Sequence, residues 1–288
     1  MAAGCGMSAE PITRPPLRWF GGKWRLAPWI LAHFPAHDVY CEPYGGAASV
    51  LLRKAPSKIE AYNDLMGRAV NFFKVLRDKP DALIRLIDLT PYAYAEYLDA
   101  REQADDPVED ARRFYVCAGQ GRAGGASRAT RSGWRREVED NRRGSVTDEF
   151  SDSDHLWAVA RRLKHVQLEC EPALAVIQRY DRPGTLLYID PPYPLSTRSA
   201  QWDRYSHELT EADHRELAEV LHDYPRMVVL SSYPGLLYQE LYDDWAKVEC
   251  RAVTDHASPA TEALWFNPVA AVAFDRARHR QLRFGEIS

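Results

Sequence analysis

Long hydrophobic runs are missing from this 288-residue chain. No apolar stretch approaches the ~20 residues needed to span a bilayer, so a membrane-embedded protein is not expected. Paired cysteines are missing too. Cys5, Cys41, Cys117, Cys170 and Cys250 are scattered, odd in number and never spaced as C-x-x-C, which argues against a disulfide framework and a zinc site. Cys41 and Cys170 lie in apolar, strand-like runs, where cysteine acts as a small hydrophobe. The histidines show no ligand spacing: His214 and His222 are eight apart on a helix-like stretch, not H-x-x-x-H, and no metal is expected. There is no G-x-G-x-x-G fingerprint, and Gly22-Lys23 lacks both the spaced first glycine and the following Ser/Thr of a phosphate-binding loop. Ala2-Ala3-Gly4-Cys5 resembles a lipid-attachment site but lacks the preceding basic and apolar regions, so a cytoplasmic protein is expected. Repeats and low-complexity tracts are likewise missing.

What is present belongs to an ordinary globular chain, 45% hydrophobic and 27% charged, long enough for one large domain or one domain carrying an insertion. Net charge is −4, which by itself disfavours nucleic acid as a partner, but the distribution is uneven. Residues 112–143 hold nine arginines against three acids, a formal +6, leaving −10 on the remainder. One basic segment on an acidic body is the asymmetry that needs a function.

Strand-like and helix-like runs alternate along the chain. Residues 39–42, 58–62, 166–170, 185–189 and 226–231 read as strands, and 24–34, 47–53, 65–77, 155–164 and 173–179 as helices. Thr210 with Asp213 three residues on signals another helix start. Residues 246–252 and 262–274 read as strands that include an antiparallel pair. This order predicts an α/β fold with a largely parallel sheet flanked by helices. Residues 91–101 and 107–117 read as helices with proline in the first turn, and 119–150 as a polar, glycine- and arginine-rich stretch. The expected organisation is a discontinuous catalytic domain, 1–90 and 154–288, carrying an inserted segment, 91–153.

The strongest chemical signal is Asp190-Pro191-Pro192-Tyr193, just beyond the most apolar strand, where open parallel sheets bind ligands. Two prolines fix the backbone and remove two N–H donors, leaving carbonyls free to accept. A carboxylate, a rigid carbonyl and an aromatic ring within four residues suit an exocyclic amino group on a flat ring. Asp190 and the Pro191 carbonyl would accept its two protons while Tyr193 stacks on the ring. The bland alternative is a proline turn after a core strand. Glu42-Pro43-Tyr44-Gly45-Gly46 places a glycine turn between a strand and a helix, either a close-approach ligand site or a plain tight connection. Asp64, ending the second strand, either faces a ligand or caps the next helix. The basic segment reads as a DNA-binding element with Arg122, Arg128, Arg131, Arg135 and Arg136 for phosphates and guanine edges and Trp134 as a stacking or wedge residue, or as solvated surface.

These segments, from about Arg18 to Pro268, resemble in order those of the Dam-type family of N6-adenine DNA methyltransferases, which includes phage and prophage members. Arg18-Trp19-Phe20-Gly21-Gly22-Lys23 is similar to its N-terminal G-G-K segment, and Thr210 to His214, Ser231-Ser232-Tyr233 and Thr261-Glu262-Ala263-Leu264-Trp265-Phe266-Asn267 to later family segments. The resemblance implies a Rossmann-like S-adenosylmethionine-dependent sheet and methyl transfer to adenine N6 in double-stranded DNA, by base flipping and direct in-line transfer. It implies a cofactor site at Trp19, Lys23, Glu42, Tyr44, Gly45, Gly46, Asp64, Glu171 and Asp190, and catalysis at Asp190, Pro191, Pro192 and Tyr193. It also raises a cognate restriction endonuclease as a partner, with the enzyme itself a monomer or weak dimer. One departure stands out: Ala48 replaces the second glycine of the family's aromatic-x-Gly-x-Gly loop, tolerable if its φ stays negative. A different amino acceptor (cytosine N4, an RNA base, a protein glutamine) and an inactive DNA-binding relic remain open.

Overall fold

The computed structural model describes residues 11–122, 133–137, 145–194, 205–253 and 259–285. Seven strands form one sheet: β1 (Val39–Glu42), β2 (Ile59–Asn63), β3 (Val166–Glu169), β4 (Thr185–Ile189), β5 (Met227–Ser232), β6 (Ala246–Val253) and β7 (Pro259–Phe266). The helices, in chain order, are α1 (Ala27–Ala32), α2 (Ser49–Arg53), α3 (Gly67–Asp78), α4 (Pro80–Asp88), α5 (Tyr94–Asp99), α6 (Pro107–Gln120), α7 (Val146–Ser151), α8 (His155–Leu163), α9 (Ala173–Arg179), α10 (Glu211–Asp223), α11 (Leu236–Leu241) and α12 (Pro268–Gly285).

The strand order is β3-β2-β1-β4-β5-β7-β6. The first five pair in parallel, while β7 runs antiparallel between β5 and β6, with Leu230 opposite Trp265 and Cys250 opposite Glu262. Every residue of β1, β4 and β5 is buried, which is why these strands read as unbroken apolar runs: helices cover both faces. The two-residue side-chain period sorts them into two cores. Tyr40, Leu186, Tyr188, Val229 and Leu264 face one, while Cys41, Leu187, Ile189, Val228 and Leu230 face the other. From β1 the chain winds outward to β2 and β3, then returns to place β4 on the opposite side of β1 and winds on to β5. That reversal leaves a crevice outside the carboxyl ends of β1 and β4, where an open α/β sheet holds its ligand.

Several boundaries differ from the expectation. Residues 262–274 are not one strand: β7 stops at Phe266, and α12 begins at Pro268. Buried Asn267 makes the break, its Oδ1 accepting from Val228 N (3.1 Å) and Ala270 N (2.9 Å) while its Nδ2 donates to the Arg226 carbonyl (2.7 Å). Proline then suits the first helical turn. Helix α4 was not anticipated, and α7 lies at the end of the stretch read as irregular. The Thr210–Asp213 capping box opens α10 as expected. Helix α6 packs against α3, α4 and α5, and its Phe114 and Tyr115 join the same core as Phe72.

The β1–α2 connection overturns one expectation directly. Ala48 adopts φ 54° and ψ 31°, left-handed geometry, and it is the one non-glycine with positive φ among the described residues. Its N–H closes a turn onto the Gly45 carbonyl at 2.7 Å. Its methyl is fully buried in the core and does not line the crevice, so it does not crowd a ligand there. Left-handed geometry costs an L-residue roughly 1–2 kcal/mol. Ala48→Gly should therefore stabilise the protein by about 1 kcal/mol, seen as a higher urea midpoint. An unchanged or lower midpoint would show that the loop holds this geometry without strain.

Candidate active site

The crevice between β1 and β4 holds about 900 Å³ of empty space, open solvent at its mouth included. Its walls come from the loop Trp19 to Lys23, the turn after β1 from Glu42 to Ala47, Asp64 after β2, Asp190 and Pro192 after β4, and Tyr205 to His207. The glycines are there because nothing larger fits. A Cβ on Gly45 would collide with the Tyr62 ring, and one on Gly46, whose φ is +48°, would lie 2.8 Å from Trp19 Nε1. Tyr62 hydroxyl donates to the Gly46 carbonyl at 2.7 Å, and Gly46 N donates to Asp64 Oδ2 at 2.8 Å. Asp64 also accepts from Met66 N at 2.8 Å, forming a local turn; the cap position of α3 belongs to Met66, so Asp64 does not cap that helix. Burial raises the proton affinity of Asp64, against the opposing effect of these two N–H donors.

At the other end, a charged cluster is buried behind Asp190. Lys23 Nζ lies 3.0 Å from Asp190 Oδ1 and 3.6 Å from Glu262 Oε1, and donates to the Gly21 carbonyl at 3.1 Å. It also sits 4.6 Å above the centre of the Tyr193 ring. Burial works against the ammonium charge, but Asp190, Glu262 and Tyr205 outweigh it and hold Lys23 above its ordinary value. Asp190 is pushed up to about 6 by burial, with Lys23 pulling down and Glu262 pushing up. Tyr193 is buried, its hydroxyl donating to Glu262, and the Tyr233 ring meets it edge-on with centroids 4.7 Å apart. Glu42, at the end of β1, is pushed up to about 8 by burial, although it accepts from the Tyr40 hydroxyl at 2.6 Å.

The crevice thus brings together Trp19, Lys23, Glu42, Tyr44, Gly45, Gly46, Asp64, Asp190 and Pro192. Tyr193 stands behind this wall, and Pro191 is buried beside it. Glu171 is set apart: its side chain is exposed, and its backbone exchanges hydrogen bonds with the Asn63 amide group at 2.9 and 3.0 Å, while Ala173 lines the crevice instead. Glu262 is the residue that sequence reasoning did not single out. Of the arginine-rich segment, Arg128 and Arg131 lie outside the described residues. Arg122 and Arg136 are exposed, and Arg135 pairs with Glu149 at 2.8 Å. Trp134 is half-buried, packing on Tyr92 and Tyr94 (centroids 5.4 and 5.6 Å) and donating to Gln120 Oε1 at 3.2 Å. Its backbone bridges to Gly121, closing the base of the arginine-rich segment.

Among the described residues, no group of three or more His, Cys, Asp or Glu could hold a metal ion, and no helix is long and apolar enough to cross a membrane. Comparison with known proteins adds the following. The family model for D12 class N6 adenine-specific DNA methyltransferases matches residues 19–254. A DNA adenine methylase of Serratia marcescens is 25% identical over 256 residues, covering 80% of this chain and 85% of that protein. The type II methyltransferase M1.LlaDCHI of Lactococcus lactis subsp. cremoris is 27% identical over 248 residues, 81% of this chain and 85% of its own length. A DNA adenine methylase of Escherichia coli K12 is 23% identical over 244 residues, 78% and 83% of the two chains.

The raised proton affinity of Glu42 has a consequence for stability. Because the folded state binds this proton more tightly, the associated stabilisation is complete below 4.5, the ordinary value, and lost as pH rises through about 8. Glu42→Gln should remove that loss, so the variant gains on the wild type between pH 5 and pH 8 in urea midpoint. Parallel pH dependence in the two proteins would refute the assignment.

Proposed function

Because the chain belongs to the D12 class of N6-adenine-specific DNA methyltransferases, we propose that its crevice takes S-adenosylmethionine and that an adenine turned out of double-stranded DNA enters beside Asp190. Family membership implies this methyl donor. The observation that carries the reading is the continuity of one crevice from the glycine turn and Asp64 to Asp190. The residues fit the donor. Gly45 and Gly46, packed on Tyr62 and Trp19, bring bare backbone to the crevice, and Glu42 is a buried carboxyl group whose charged form a cationic partner would favour. Trp19, Lys23, Tyr44, Gly45, Gly46 and Asp64 would hold the molecule, with Asp64 accepting from its hydroxyl groups. Glu171, outside the crevice, is not part of this assignment. When bound, S-adenosylmethionine supplies a methyl group already activated on a sulfonium.

The work left to the chain is positioning and polarisation. Asp190 and the Pro191 carbonyl accept the two N–H protons of the adenine amino group, so its lone pair is drawn out of conjugation with the ring. Tyr193, behind the crevice wall, backs Lys23 with its ring, and Pro192 fixes the turn that presents Asp190 and the Pro191 carbonyl. The nitrogen carries a surplus proton after transfer, and Asp190, whose proton affinity is raised, can receive it and pass it to water. A paired adenine cannot reach this crevice, so the base must leave the stack, at a cost of a few kcal/mol.

Residues 91–153 serve, in this reading, as the target-recognition segment of a catalytic domain built from 1–90 and 154–288. Its arginines, Arg122, Arg128, Arg131, Arg135 and Arg136, contact phosphates or base edges. Trp134, tucked between tyrosines, anchors the segment rather than wedging into DNA.

Purified protein incubated with unmethylated DNA and S-adenosylmethionine should yield N6-methyladenine on digestion and mass spectrometry, and Asp190→Ala should not, although it retains cofactor binding. Another methylated base would leave the fold and donor standing but remove the substrate assignment. Activity should fall below about pH 6 as Asp190 is protonated; a rate flat from pH 5 to 8 would remove Asp190 as the acceptor. Replacing Arg135 and Arg136 together by alanine should weaken DNA binding and flatten its salt dependence. An unchanged slope would exclude them as phosphate contacts.

A further inference from the structure

Glu262 stands at a position where a strand of this sheet would ordinarily carry a hydrocarbon. Along β7, Leu264 and Phe266 point into the core on the same face, yet Glu262, only 3% exposed, places a carboxylate there. Burying a carboxylate is unfavourable unless it is paired and hydrogen-bonded. The partners are specific. Its Oε1 receives the Tyr193 hydroxyl, lies 3.1 Å from Ser231 Oγ as acceptor, and lies 3.6 Å from Lys23 Nζ. Two of these three, Tyr193 and Lys23, belong to the wall around Asp190, and Ser231 comes from β5 beside it.

We infer that Glu262 is the positioning residue of the methyl-transfer site: it fixes the Tyr193 ring through its hydroxyl and shares the Lys23 ammonium with Asp190. The inference rests on the functional reading above. Lys23 Nζ approaches Asp190 Oδ1 at 3.0 Å, so lysine and an incoming amino group compete for the same carboxylate. A second carboxylate, Glu262 at 3.6 Å from the same ammonium, draws it back. With Glu262 in place, Asp190 remains a strong acceptor; without it, Lys23 collapses onto Asp190 and satisfies it. Among the described residues, the groups that interact electrostatically with Asp190 include Lys23 from the N-terminal loop, Glu42 of β1, Tyr188 of β4, Tyr193, Tyr238 of α11 and Glu262 of β7. Among them Glu262 is the anion that also touches Lys23.

The test is Glu262→Gln, which keeps an oxygen for the Tyr193 hydroxyl and removes the charge. Under the inference, kcat for N6-methyladenine formation falls at least about tenfold. The dissociation constant of S-adenosylhomocysteine and the KM for DNA stay within about threefold. The acid limb of kcat/KM moves to lower pH, because Asp190 loses an anionic neighbour and gains more of Lys23. A structural role alone would not move that limb. The inference is overturned if kcat stays within about twofold of wild type, or if activity and S-adenosylhomocysteine binding are lost together with a depressed melting temperature and no shift of the limb. Tyr193→Phe provides a second route: loss of the hydroxyl should lower kcat severalfold with S-adenosylhomocysteine still bound, and wild-type turnover would overturn the inference. Wild-type protein that forms no N6-methyladenine would instead bring down the functional reading itself.

Discussion

The ammonium of Lys23 is the constraint around which the site closes. A buried ammonium is costly, by several kcal/mol, unless opposite charge and hydrogen-bond acceptors surround it. Here the surroundings come from three separate stretches of chain: the Gly21 carbonyl of its own loop, Asp190 and the Tyr193 ring after β4, and Glu262 on β7. Satisfying one side chain therefore draws the N-terminal loop down over the sheet. With it comes Trp19, which lies over Gly46, and Phe20, which packs on Tyr205 with centroids 5.1 Å apart. The part of the crevice wall that the N-terminal loop contributes follows from that single burial.

The glycine turn is held from the other side by ordinary hydrogen bonds rather than by charge. Tyr62 and Asp64 clasp Gly46 from β2, and the turn passes through a left-handed alanine before α2 begins. The methyl of Ala48 points into the core, so the chain keeps the shape of a glycine loop while carrying an alanine in it. The local strain sits next to the ligand crevice, where strained backbone is commonly found in proteins. An adenine-specific DNA methyltransferase, the protein thus makes a left-handed turn beside its crevice with a residue that this geometry does not favour.

Much of this was readable in advance because local chemistry announces itself. The buried parallel strands read as apolar runs, the Thr210–Asp213 box marked its helix, and Asp190-Pro191-Pro192-Tyr193 stood where a strand had to end. What stayed hidden depends on distant partners. Glu262 lies 69 residues from Tyr193, and in sequence it is one more acid in a strand. Glu171 follows its strand as expected, but its backbone is taken up with Asn63 and its side chain turns to solvent. The end of β7 was missed because Ala270 to Phe274 continues the apolar composition, and only the bonds of Asn267 reveal a change of direction. Trp134 stands among arginines as a stacking or wedge candidate; its packing on Tyr92 and Tyr94 depends on residues about 40 positions away and has no signal in its neighbours.

The bridge between Gly121 and Trp134 has an evolutionary consequence. The indole, its hydrogen bond to Gln120 and the Tyr92 hydroxyl on the Arg135 carbonyl (2.5 Å) seal the mouth of the intervening loop against α6. A loop sealed at its base can be lengthened, shortened or rewritten at an entropic cost that grows only with the logarithm of its length. Drift in this interval is thereby uncoupled from the packing of the sheet and its helices, and, under the target-recognition role proposed for the segment, a lineage carrying this scaffold can acquire new target sites without rebuilding the crevice.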